Sequence, residues 1–172
     1  MTNNITVAFT GHRPDKCGGF KVPNPLQQYI SKELRRVLLE INPTQAISGM
    51  ALGVDQYAAE VCIELKIPFI AAVPCEGQEK IWPEPSRIKY NQILAKAEKV
   101  ELVSPGGYAA WKMQIRNKWM VDHCDVLIGV FDGTSGGTAN CISYAKSIGK
   151  KIIIINPKEY YENEIKEKNK EK

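Results

Sequence analysis

No pair of cysteines in this sequence stands at C-x-x-C spacing. The five thiols (Cys17, Cys62, Cys75, Cys124 and Cys141) are dispersed, and only His12 and His123 are present to join them. An odd, scattered set with so few imidazoles argues against a secreted-type disulfide framework and a zinc site, so no metal is expected and the thiols read as buried groups in a reducing compartment. No apolar run approaches membrane-spanning length. The opening residues Met1-Thr2-Asn3-Asn4 are polar and lead straight into a strand, with no charged-then-apolar leader, which points to the cytoplasm and away from a membrane. Neither sign of charge dominates. The net charge is +4, the stretch Lys158 to Lys172 balances five lysines with five glutamates, and the rest holds 18 basic against 14 acidic residues. An excess so small and so unclustered suits an anionic small molecule and argues against nucleic acid. There is no G-x-G-x-x-G fingerprint, no Gly-Lys-Ser/Thr of a Walker loop and no internal repeat.

What is there is a regular alternation of strand and helix. Ile5 to Thr10 reads as a first strand. Leu26 to Ile41 carries Ile30, Leu34, Val37, Leu38 and Ile41 on one helical face, and Gln45 to Ser48 is a short buried strand. Val54, Tyr57, Ala58, Val61, Cys62 and Leu65 repeat the helical spacing, and Ile67 to Val73 is a near-continuous apolar strand. A helix from about Ser86 to Ala97, a strand from Lys99 to Val103, a helix from Ala109 to Cys124 and a strand from Asp125 to Phe131 follow. Thr138 to Ile148 then forms a helix, and Lys151 to Ile155 a last strand with four consecutive isoleucines. Strands without polar/apolar alternation, separated by amphipathic helices, predict a Rossmann-like three-layer α/β domain with a mostly parallel sheet of about six strands. At 172 residues the chain is expected to form one domain over 1–157. The charged tail 158–172 is expected to be a frayed helix or disordered.

In such a sheet ligands bind outside the carboxyl ends of the strands, and three of those ends are unusual. The first strand runs into Thr10-Gly11-His12-Arg13-Pro14, where glycine permits a close backbone approach and His12 and Arg13 offer a hydrogen-bonding ring and a forked cation suited to phosphate. A rigid surface turn is the alternative. The second runs into Ser48-Gly49-Met50-Ala51-Leu52-Gly53-Val54-Asp55, whose small residues leave N–H groups free for an anion at a helix start; Asp55 fits a helix cap as well. The fifth runs into Asp132-Gly133-Thr134-Ser135-Gly136-Gly137-Thr138-Ala139-Asn140, in which three glycines and three hydroxyls favour phosphate or ribose binding. In the helix from Ala109, Asn117 shares an apolar face with Met113, Met120, Val121 and Cys124, and an unpaired amide there costs about 1–3 kcal/mol. Asn117 is therefore expected to bond a loop or the ligand, and Arg116 to reach the crevice from the flank. Trp82 and Tyr90 are a candidate lid on which a base stacks.

Thr-Gly-His-Arg-Pro at 10–14, Ser-Gly-Met-Ala-Leu-Gly-Val-Asp at 48–55, Arg-Asn-x-x-Met-Val-Asp at 116–122 and Asp-Gly-x-x-Gly-Gly-Thr at 132–138, in that order, resemble the YpsA-type branch of the SLOG superfamily. That superfamily also holds the Lonely Guy phosphoribohydrolases and the single-stranded-DNA-binding DprA proteins. The resemblance implies a Rossmann-like fold that takes a nucleotide-derived ligand, such as an NAD- or ADP-ribose-type or cyclic nucleotide signal, held for sensing or for sequestration, including by phages against host defence. It also implies a homodimer; no cofactor is expected. The hydrolase branch carries Pro-Gly-Gly-x-Gly-Thr-x-x-Glu; with its Gly-Thr on Gly137-Thr138, Cys141 takes the place of the catalytic Glu. A nucleoside-monophosphate N-glycosidic hydrolase is then the alternative function, and it needs Asp55 or Asp132 as the acid.

Overall fold

The computed structural model describes residues 4–171; Met1-Thr2-Asn3, the polar lead into the first strand, and Lys172 at the end of the tail lie outside them. Six strands, β1 (Thr6–Gly11), β2 (Gln45–Ser48), β3 (Phe69–Val73), β4 (Lys99–Leu102), β5 (Val126–Val130) and β6 (Lys151–Ile155), form one sheet in the order β4-β3-β2-β1-β5-β6. Every pairing is parallel, so the sheet is wholly rather than mostly parallel. The helices are α1 (Pro25–Ile41), α2 (Val54–Glu64), α3 (Glu84–Leu94), α4 (Ala110–Asp122), α5 (Gly137–Ser147) and α6 (Lys158–Lys170).

Strand side chains alternate between two cores. Val7 and Phe9 of β1 join Ile30 and Leu34 of α1, Ala58 of α2 and Ile93 of α3, whereas Ala8 between them joins Met120 of α4 and Ile142 of α5. Both faces are thus covered, which is why these strands read as continuous apolar runs. Full burial of a side chain such as Ile30 or Phe9 contributes roughly 1.5–3 kcal/mol.

Local chemistry sets the helix ends. Asn24 and Gln27 form a reciprocal capping box at the start of α1, with Gln27 N–H donating to Asn24 Oδ1 at 2.8 Å. α3 begins before the expected Ser86 because Pro85 sits in its first turn, where no N–H is missed. The charged tail is helical over Lys158–Lys170, and Tyr160 packs on Tyr29 of α1 with ring centroids 5.6 Å apart.

The chain leaves β1 toward β2 on one side, while β5 lies against β1 on the other. β1 and β5 therefore flank the topological switch point, where the connections diverge and leave a crevice beyond the strand ends.

Candidate functional site

A cavity of about 270 Å³ occupies that crevice, walled by the loops after β1 and β5, the start of α2 and one side of α4. Gly11 makes the close approach possible, since a Cβ there would lie 2.5 Å from Val54 of α2. His12, which follows, is almost fully buried and accepts the Asp132 N–H on Nε2 at 3.0 Å. Burial lowers its proton affinity and outweighs the pull of the Asp132 carboxylate 3.1 Å away.

The same carboxylate laces the two loops together. Burial alone would raise its pKa, but the hydroxyl of Thr134 (2.6 Å), the N–H of Thr134 (3.0 Å), His12 and Lys16 bring it to about 2. Lys16 lies in the short 3-10 turn Pro14–Lys16 and donates to Thr134 Oγ1. A carboxyl whose pKa drops from 3.8 to about 2 on folding stabilises the native state above pH 3.8 and loses that contribution as pH falls toward 2. The wild type should therefore resist urea better than Asp132→Asn above about pH 4, with the gap closing toward pH 2; a gap constant with pH would show that the native fold does not favour the ionised carboxyl.

The loop after β2 is wound on itself. Ser48 Oγ donates to the Asp55 carbonyl at 2.7 Å and accepts from Met50 N–H at 3.2 Å; Met50 takes a left-handed φ of 59° and Gly53 a φ of 96°. Ser48, Gly49, Met50 and Gly53 therefore build the wall from behind, and of this loop only Ala51, with Asp55 just inside α2, reaches the cavity. Asp55 is 7% exposed; its Oδ2 accepts the Ala51 N–H at 3.3 Å. Burial raises its pKa, against the opposing pull of Arg116, Arg13 and that N–H.

α4 reverses one expectation. Its buried residues are Lys112, Arg116 and Met120, at i, i+4 and i+8, together with Val121, while Asn117 is only half-buried. Arg116, 3% exposed, donates through Nη1 to the carbonyls of Gly49 (2.5 Å) and Ala72 (3.4 Å) and through Nε to Asn117 Oδ1 (3.1 Å). Burial lowers its proton affinity while Asp55 holds it up. Glycine at 49 leaves room for the guanidinium, since a Cβ there would sit 2.6 Å from Nη1. The hydrophobic periodicity reads past this arginine because its partners are backbone carbonyls on β3 and in the loop after β2.

Ser135, Gly136, Gly137 and Thr138 lead into α5 and line the opposite wall. Of the residues singled out from sequence, Thr10, Gly11, His12, Arg13, Ala51, Asp55, Arg116, Asn117, Ser135, Gly136, Gly137 and Thr138 come together on the cavity. Asp132 and Gly133 do not line it. Trp82 and Tyr90 are not a lid over it: Tyr90 is buried, meets Trp82 edge-on at 5.3 Å and accepts from Gln78. Asp15, Lys16, Met113 and Gln114, which the motifs do not single out, also line the cavity, with Thr134 of the loop after β5. Met113 and Gln114, four and three residues before Asn117, were accessible through helical spacing; Lys16 was not, since only the 3-10 turn returns it. Cys141 is buried in the core under α5, its thiol pushed up to about 11 by burial.

An all-parallel sheet with a polar cavity at its switch point defines the class of Rossmann-like α/β domains. The chain belongs to the YspA SLOG family, whose model matches residues 7–160. It is 32% identical over 165 residues to the uncharacterized SPbeta prophage-derived protein YoqJ of Bacillus subtilis (strain 168), covering 83% of this chain and 96% of that one. Two solved structures share the fold at low identity. DNA processing protein A (DprA) of Helicobacter pylori, described for its single-stranded DNA binding mode, superposes with a TM-score of 0.63 at 24% identity, over 87% of this chain and 64% of that one. The molybdenum cofactor carrier protein of Chlamydomonas reinhardtii superposes with a TM-score of 0.58 at 16% identity, over 92% of this chain and 80% of that one. No described helix is long and apolar enough to cross a membrane.

Proposed function

We propose that the cavity binds a phosphorylated, nucleotide-derived small molecule. One observation carries this reading. The N-terminus of α5 and three cationic side chains, Arg13, Lys16 and Arg116, converge on a single cavity whose α5 wall is glycine and hydroxyl. Helix N-termini carry unpaired N–H groups and partial positive charge, and guanidinium groups match phosphate in shape and sign. The five free cysteines are all buried, which supports a cytoplasmic setting. Holding an ADP-ribose-type or cyclic nucleotide signal, to sense or sequester it, is the use we favour, and the prophage origin of YoqJ supports a phage setting for it.

Thermal shift against inorganic phosphate, AMP, ADP-ribose and cyclic nucleotides tests this. A ligand at about 100 times its Kd adds about 2.7 kcal/mol, or about 5–10 °C for a chain of this size. Gly137→Val should leave the unliganded fold as stable as wild type, since a Cβ there meets nothing within 4 Å, yet should abolish the shift by filling the cradle. A wild-type response to no phosphorylated compound, or a Gly137→Val response equal to it, sinks the reading.

Two other readings have specific support. The likeness to DprA removes the ground for setting nucleic acid aside on charge alone. A DNA binder would lose affinity for single strands steeply with salt, where a small-molecule site would not bind them at all. Asp55 on the cavity wall keeps N-glycosidic hydrolysis in view, since Asp132 does not line it. Release of free base from AMP, lost in Asp55→Ala, would establish it.

A further inference from the structure

We infer that an anion entering the cavity places a proton on His12, so that the site holds its ligand more tightly as pH falls. The inference rests on the phosphate reading above and adds how that site is regulated.

The geometry gives one ring nitrogen two alternative partners. His12 lines the cavity and is 6% exposed. Its Nε2 lies 3.0 Å from the backbone nitrogen of Asp132 and 3.1 Å from Oδ1 of the same residue. In the empty site Nε2 accepts the Asp132 N–H, and a ring nitrogen that accepts carries no proton. A proton placed there reverses the bond onto a carboxylate already within reach, and that bond is charge-assisted. The Asp132 carboxyl, with its pKa at about 2, stays ionised to receive it.

Several groups set the balance. Burial keeps the proton off most strongly and Lys16 adds to it, while Asp132 and Asp15 pull the other way. Protonation also gives up the bond from the Asp132 N–H. Arg13 follows in the chain, and Asp55 of α2 and Arg116 of α4 face the same cavity. β5 is followed by the uncharged Phe131, with ring centroids 6.1 Å apart, and the α5 wall from Ser135 to Thr138 brings no charge among the described residues. An anion in the cavity tips this balance, because an opposite charge within about 4–6 Å favours the charged ring by roughly 1–3 pKa units. Linkage is reciprocal, so the proton tightens the anion by the factor with which the anion tightens the proton.

Proton NMR of the full chain tests this, because the sequence holds only two histidines. His123 stacks on Trp119 at 4.1 Å and does not line the cavity, so its ring is an internal reference. Both rings are titrated between about pH 5 and 8, in sulfate and in chloride at equal ionic strength. Sulfate keeps a constant charge over that range, so any titration belongs to the protein. It should raise the His12 midpoint by about one unit or more and leave His123 where it is. By calorimetry, sulfate affinity should rise toward about tenfold for each pH unit lost between the two His12 midpoints, with uptake of one proton. His12→Gln keeps an acceptor for the Asp132 N–H but takes no proton, so its sulfate affinity should be flat with pH. With sulfate bound, an unmoved His12 midpoint overturns the inference, and so does a pH dependence that survives in His12→Gln. The wild-type titration stands even if the variant fails to fold. If neither sulfate nor inorganic phosphate binds the wild type at any pH, the phosphate reading falls and this inference with it; if they bind without proton uptake, only this inference falls.

Discussion

Arg116→Met should weaken binding of the phosphorylated ligand about a hundredfold or more, apart from a loss of stability in the unliganded protein. Truncating one partner of a buried, hydrogen-bonded charge typically costs about 2–5 kcal/mol of affinity. Arg116 is the cation held deepest against the cavity, at 3% exposure, with its ring of donors already aligned by Gly49, Ala72 and Asn117. Its loss from the empty protein has two opposing parts. The carbonyls of Gly49 and Ala72 lose a donor, worth about 1–3 kcal/mol for each group left dry, and Asp55 loses the cation that offsets its burial. Against this, a guanidinium whose charge is penalised by burial is removed. A net loss of about 1–3 kcal/mol is expected in urea unfolding, so ligand titration at a temperature where the variant is folded separates the two effects. Arg116→Lys should not rescue binding, because one ammonium cannot reach two carbonyls and an anion as a planar fork does. An affinity within threefold of wild type in the methionine variant would remove Arg116 from the site.

Gly53→Ala should be the most damaging single-methyl change in the domain. Its φ of 96° with ψ of −133° belongs to a region open to glycine alone, and occupying it with alanine costs about 1–3 kcal/mol. The added Cβ would also lie 2.4 Å from the His12 carbonyl oxygen, which itself accepts the Val54 N–H at 3.2 Å. Relieving that overlap breaks the bond or pushes the loop after β1 off α2. Together these predict about 2–4 kcal/mol, a drop in Tm of about 5–15 °C for a chain this long. Because Arg13 follows His12, phosphate affinity should fall as well. Gly107→Ala is the control: its Cβ meets nothing within 4 Å and its φ is not positive, so its Tm should stay near wild type. Similar midpoints for the two variants would mean that the turn is not held as described.

The two variants probe contacts of opposite legibility. A strand–glycine–helix junction is visible in Ser48 to Asp55 as a local pattern, and the need for glycine at 53 follows from a turn only a few residues long. The role of Arg116 depends on Gly49 and Ala72, 67 and 44 residues away in the chain. Nothing in the spacing of α4 distinguishes an arginine facing solvent from one that ends on buried carbonyls, and apolar spacing alone puts Asn117 inward. Trp82 and Tyr90 went astray similarly: aromatics in a proline-rich connection read as a lid, whereas the edge-on contact between them and the bond from Gln78 commit Tyr90 to the core.

By itself, then, the sequence determined the alternation of elements, most of their boundaries and the three loops that carry glycine and hydroxyls, because helix and strand periodicities, caps and tight turns are set by neighbours within a few residues. The strand order, the divergence beside β1, the return of Lys16 to the cavity and the bonding of Arg116 to the carbonyls of Gly49 and Ala72 were decided only by the tertiary structure. Those features depend on which distant backbone groups are left unpaired once the layers close, and on which charges burial then forces to find a partner.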